Sequence, residues 1–259
     1  MHYFHHMKLN YKILGEGQPL IILHGLFGSS DNWLTHAKRL SEYFKVILVD
    51  QRNHGHSDWS NDFNYTILAT DLMELITELD LNKSYVLGHS MGGKTAMVFA
   101  QLFPEMISKL IVVDIGIKQY PMHHDEILKG IHAVGEGKMN SRSDAESQLL
   151  PFIPSAGVRQ FLMKNLYWKE KEQLAWRMNV AILEKEMPHI LASIADTEVF
   201  TPALFIRGEQ SNYILDEDWN DIENAFPDSN LVTIKNAGHW VHAEAPEVFM
   251  NEVLGFLLR

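Results

Sequence analysis

Short apolar runs alternate with amphipathic stretches along most of this chain, a rhythm that predicts parallel strands covered by helices. Residues 8–14 read as a first strand, and Pro19-Leu20-Ile21-Ile22-Leu23 as a buried second one ending at His24-Gly25. Helical spacing runs through Trp33, Leu34, Ala37, Leu40 and Phe44, predicting a helix over 31–43. Val46-Ile47-Leu48-Val49 is the next strand, closed by Asp50 and the polar turn Arg52-Asn53-His54-Gly55-His56-Ser57. A helix at about 65–80, a strand at 83–89 and a helix at 91–103 follow, the last stopped by Pro104. Leu110-Ile111-Val112-Val113 is a further strand with Asp114 at its carboxyl end.

From about 117 to 197 the rhythm changes to amphipathic helical stretches with no convincing strand. Alternation then resumes with a strand at 203–206, a helix near 216–226, a strand at 231–234 and a final helix at 244–258. The expected architecture is α/β: a mostly parallel central sheet with flanking helices, its core formed by 1–116 and 198–259, and an all-helical cap over 117–197. Residues 118–196 hold ten Lys/Arg and ten Asp/Glu, so the formal charge of −11 resides on the core. The balance reads either as an ordinary solvated helical surface or as a neutral cap that repels an anionic substrate less than the core does.

The bulk numbers exclude whole classes of function. A chain of 259 residues with 46% hydrophobic and 21% charged residues reads as an ordinary globular domain. The negative charge argues against a nucleic-acid binder, which needs a basic face. The absence of cysteine removes disulfides, thiolate catalysis and cysteine-bound zinc. The start lacks the pattern of a secretory signal, and no apolar run approaches the ~20 residues of a membrane span. A cytoplasmic protein, monomer or homodimer, without membrane insertion, is expected. His2, His5 and His6 are conceivable metal ligands but precede every predicted element, and Met7 is an alternative start.

The chemistry centres on Gly88-His89-Ser90-Met91-Gly92, which leaves an apolar strand and opens a helix. That arrangement is a nucleophile elbow: glycines permit a turn tight enough to raise the serine hydroxyl above the sheet edge. A serine needs a base, an orienting acid and donors for the oxyanion. His239, in Asn236-Ala237-Gly238-His239-Trp240 after the last strand, has the position of the base. His89, His242, His54 and His56 read as structural. The oxyanion donors are expected to be the N–H of Met91 and that of Leu26, in His24-Gly25-Leu26-Phe27-Gly28. Ser211 stands in the loop after the penultimate strand, where the acid is usually found. Asp216 and Asp218 could reach back, but both read as helix caps. Asp114, at the end of a strand close to the elbow strand, is the better acid. Ser211 becomes an auxiliary group bonded to Asp114 or His239. Phe27, Trp33, Met91, Ile115, Phe152, Phe161, Leu162 and Trp168 are the expected walls of an apolar acyl pocket.

Taken together, Gly88-His89-Ser90-Met91-Gly92-Gly93-Lys94, His24-Gly25-Leu26-Phe27-Gly28-Ser29, Asp50-Gln51-Arg52-Asn53-His54-Gly55-His56-Ser57 and Gly238-His239-Trp240-Val241-His242-Ala243-Glu244 resemble the YbfF-type esterases of the α/β-hydrolase superfamily. The likeness covers nearly the whole chain, including His124-Asp125-Glu126-Ile127 in the cap, and is weakest over about 136–157. It implies catalysis by Ser90, Asp114 and His239 with Ser211 beside them, and hydrolysis of short- to medium-chain carboxylic esters. Thioesters such as acyl-CoA are also implied, and no metal or organic cofactor. A cofactor-free lyase or carbon–carbon bond hydrolase, or a receptor with little turnover, would use the same fold. A dehalogenase would need a carboxylate at position 90.

Overall fold

The computed structural model describes residues 7–135, 139, 141–171, 173–195 and 197–259; His2, His5 and His6 lie outside them. Seven strands form the main sheet: β1 (Asn10–Leu14), β2 (Pro19–Leu23), β3 (Lys45–Asp50), β4 (Ser84–His89), β5 (Ile107–Val113), β8 (Ala203–Gly208) and β9 (Ser229–Ile234). Their order is β1-β3-β2-β4-β5-β8-β9, parallel throughout except for β1 against β3.

Strand side chains alternate between two apolar layers. Ile21, Leu23, Ile47, Val49, Val86, Val112 and Phe205 face α2 (Tyr65–Glu78) and α3 (Met91–Leu102). Leu20, Ile22, Val46, Leu48, Leu87, Ile111 and Val113 face α1 (Leu34–Leu40) and α11 (Pro246–Leu257). A strand buried on both faces has no polar alternation, which explains the continuous apolar runs in the sequence. The terminal helix predicted at 244–258 is α11; a short helix, α10 (Val241–Glu244), precedes it and ends at Ala245, whose φ of −134° and ψ of 59° lie outside the helical region that a following proline disfavours. The predicted 31–43 helix is divided into a 3₁₀ turn at Ser30–Trp33 and α1.

Between β5 and β8 lie α4 (Asp125–Gly135), α5 (Arg142–Leu149), α6 (Ala156–Met163), α7 (Val180–Lys185) and α8 (Met187–Leu191). The expectation of an all-helical segment fails at one place. Leu166–Glu170 (β6) and Gln173–Trp176 (β7) pair as an antiparallel hairpin, with Leu166 opposite Trp176 and Trp168 opposite Leu174. Its strands are only five and four residues long, and β6 ends in the exposed charges Lys169 and Glu170, so no apolar run marked them. The segment's two ends meet: Tyr120 N–H donates to Leu191 O at 2.8 Å and Ile194 N–H to Ile117 O at 2.9 Å. Lys94, on α3, binds both ends, its ammonium donating to the carbonyls of Lys118 and Ala192. Beyond the insert, α9 (Trp219–Ala225) joins β8 to β9. Among the described residues no helix is long and apolar enough to cross a membrane.

Candidate active site

The elbow has the strain its glycines imply. Ser90 adopts φ 52° and ψ −120°, with its N–H donating to Val113 O at 3.0 Å on the neighbouring strand. A side chain at 88 or 92 is impossible there: a Cβ on Gly88 would lie 2.1 Å from Gly92 O, and one on Gly92 2.5 Å from Leu23 O. The turn therefore closes only with glycine at both places. Met91 is the first residue of α3, so its N–H is among the donors a helix start leaves unpaired.

The carboxyl end of β5 supplies a second strained residue. Asp114 has φ 51° and is fully buried. Its Oδ1 accepts from Gly208 N–H at 3.1 Å, and its Oδ2 accepts from the Ser211 hydroxyl and from His239 Nδ1–H at 2.7 Å. Asp216 is instead paired with Arg207, and Asp218 with Lys118 and Leu215 N–H. Donation from Nδ1 leaves His239 Nε2 as the basic nitrogen. Burial holds the imidazole well below its ordinary pKa, and the nearby His123 adds to that. Burial also pushes the Asp114 carboxyl up, against the Ser211 and Gly208 donors that pull it down. At neutral pH the ring is a free base.

Two further groups orient His239. Tyr213 stacks on the ring at 3.9 Å with a 16° interplanar angle, and its own N–H donates to Ser211 Oγ at 3.2 Å. His89 Nε2–H donates to the His239 carbonyl at 2.9 Å. Tyr213 was invisible in the sequence, because nothing local distinguishes it from any loop tyrosine.

Ser90 and His239 border one cavity of about 170 Å³, walled mainly by Leu26, Phe27, His123, His124, Ile127, Val158, Phe161, Leu162, Tyr213 and Trp240. Phe27, Phe161 and Leu162 thus stand where a pocket was expected. Five other expected wall residues are elsewhere. Trp33 is buried on the far side of the sheet, stacked on His242 at 4.2 Å. Ile115 packs against Gly93 in the core. Phe152 packs beside Gly130 within the insert, and Trp168 is 45% exposed on the hairpin. Aromatic content alone does not say which face of an element meets a cavity. Met91 joins the core beneath the elbow instead of the cavity wall. A second cavity of about 440 Å³ adjoins the first, sharing Val158, Phe161 and Trp240 with it.

Residues 18–246 match the family described as the alpha/beta hydrolase fold. The chain belongs to that family. It is 36% identical to "Esterase YbfF" of Escherichia coli strain K12, over 93% of this chain and 94% of that one. It is also 36% identical to "sn-1-specific diacylglycerol lipase ABHD11" of Danio rerio, over 94% of this chain and 79% of that protein. Among solved structures, a marine microorganism esterase superimposes with a TM-score of 0.94 at 42% identity, covering 97% of this chain and all of that one. By these kinships the hydrolase is an enzyme of the carboxylesterase type, akin to the YbfF esterases.

Proposed function

We propose that this hydrolase cleaves short- to medium-chain acyl esters, and thioesters of the acyl-CoA kind, through an acyl-enzyme on Ser90. The observation that carries the reading is that His239, held through Nδ1 by the buried Asp114, borders with the strained Ser90 one apolar cavity. Ser90 Oγ attacks the carbonyl carbon as His239 Nε2 takes its proton, and Asp114 stabilises the imidazolium that forms. The N–H groups of Leu26 and Met91 stabilise the oxyanion, each worth roughly 2.7–4 kcal/mol in the transition state. His239 then protonates the leaving alcohol or thiol. Water, deprotonated by the same ring, releases the acid. Ser211 keeps Asp114 fixed, and residues 117–197 act as the cap that excludes solvent.

The cavity volume favours a short acyl end, since about 170 Å³ lies beside Ser90 before Phe161 and Trp240 close it. The experiment is a panel of p-nitrophenyl and CoA esters of increasing chain length, run with the wild type and Ser90→Ala. A fluorophosphonate probe is applied to both. Turnover and labelling by the wild type, and neither by the variant, are the expected result. Labelling without ester turnover points to the lyase or carbon–carbon hydrolase reading, and no labelling to a receptor.

A further inference from the structure

The loop after β2 is held by side chains from two distant parts of the fold. Gly28 N–H donates to Gly25 O at 3.0 Å, closing a turn whose third residue, Phe27, has φ 59°. That position suits glycine, and a bulky L-residue keeps it only where its surroundings impose it. Here both peptide groups of Phe27 are fastened. Its N–H donates to His54 Nε2 at 3.2 Å, and its carbonyl accepts from Asn165 Nδ2 at 2.7 Å. His54 belongs to the core, where its Nδ1–H donates to Arg52 O at 3.0 Å, so the ring is a neutral acceptor. Asn165 belongs to the cap.

Asn165 is fully buried at the corner between α6 and β6. Its backbone is tied on both sides, the N–H to Leu162 O and the carbonyl to Arg177 N–H, each at 2.9 Å. The amide is therefore presented by a rigid corner. Leu26, next to Phe27, is the residue whose N–H is assigned to the oxyanion.

We propose that Asn165 is a positioning residue for the oxyanion loop. Its amide holds the Phe27 carbonyl so that the turn aims the Leu26 N–H at the reacting oxygen, and only a seated cap completes the site. The inference rests on the reading of Leu26 as an oxyanion donor. Without the amide, Phe27 relaxes toward negative φ and the loop rotates. A misaimed donor still tolerates the flat ester but no longer meets the charge that develops on the oxygen, so the loss falls on kcat.

The test compares Asn165→Leu, which keeps the branched shape but has no donor, with the wild type on p-nitrophenyl butyrate. Both are also made in a Phe27→Gly background, because glycine accepts the positive φ unaided. We expect kcat to fall by roughly ten- to a hundredfold with KM within about twofold, and the affinity for an alkylboronic acid, a tetrahedral analogue, to fall in step. In the Phe27→Gly background the same substitution costs less than about threefold. An unchanged kcat, an effect on KM alone, or equal losses in both backgrounds overturns the proposal. If Asn165→Leu does not fold, Asn165→Ala is read by the same criteria. Wild-type turnover that vanishes in Ser90→Ala keeps the underlying esterase reading intact whichever way position 165 falls.

Discussion

Replacing Asp114 with asparagine isolates the role of the buried carboxylate. Three donors converge on its two oxygens: Gly208 N–H on Oδ1, and the Ser211 hydroxyl with His239 Nδ1–H on Oδ2. Asparagine offers one acceptor oxygen and one NH2 group, so two orientations must be compared. With the NH2 toward Ser211 and His239, the hydroxyl turns to accept and His239 moves its proton to Nε2, which pairs both groups of the amide but destroys the base. With the NH2 toward Gly208, the base survives, but a buried N–H faces another N–H at a cost of about 1–3 kcal/mol. The inactive arrangement is favoured by that margin, a factor of roughly 5 to 150. The lost negative charge no longer stabilises the imidazolium in either case. Together these predict a kcat reduced by about 10³–10⁴, or roughly 4–5.5 kcal/mol in the barrier. Steady-state hydrolysis of p-nitrophenyl butyrate measures it, with Asp216→Asn as the control, since Asp216 is exposed and paired with Arg207. A loss below about tenfold, or an equal loss in the control, would refute the assignment.

Other consequences are equally direct. Phe161 lines both the cavity beside Ser90 and the larger neighbouring one; Phe161→Ala should move the preferred p-nitrophenyl ester to a longer chain, and an unmoved optimum would sink the idea. His239 is lowered and Asp114 raised by burial, so the acid limb of kcat/KM should fall between their ordinary values of 3.8 and 6.5. A midpoint at or above 6.5 in a pH–rate profile would contradict it. Burial lowers the Lys94 ammonium from 10.5 to about 7. Above that value the unfolded chain holds a proton the folded one lacks, so this lysine's cost to stability lessens as pH rises. Relative to Lys94→Met, the wild type should gain roughly 3 kcal/mol between pH 7 and 9.5 in urea unfolding. A difference that stays flat shows that the carbonyls of Lys118 and Ala192 and the ring of Tyr120 keep the ammonium charged throughout.

What the chain determined by itself was everything set by local sterics and period. Short continuous apolar runs on a twice-covered sheet have one reading, and a Gly-x-Ser-x-Gly that follows such a run has room for one backbone path. The strand positions of the main sheet, the elbow and the end of β5 where Asp114 stands were therefore legible, as was the helical rhythm of most of 117–197. Features made by contact between distant segments were not. Trp33 sits at the start of a helix predicted correctly in kind, yet which side of the sheet that helix covers decides that it meets His242 instead of the cavity. The hairpin at 166–176 carries its charges outward and so lacks the apolar run by which a strand announces itself. Tyr213 on the face of His239, and Asn165 reaching Phe27 across 138 positions, exist only once segments distant in the chain have packed together. A hydrogen bond between residues so far apart leaves no periodic trace, because its partners are chosen by the packing of whole layers.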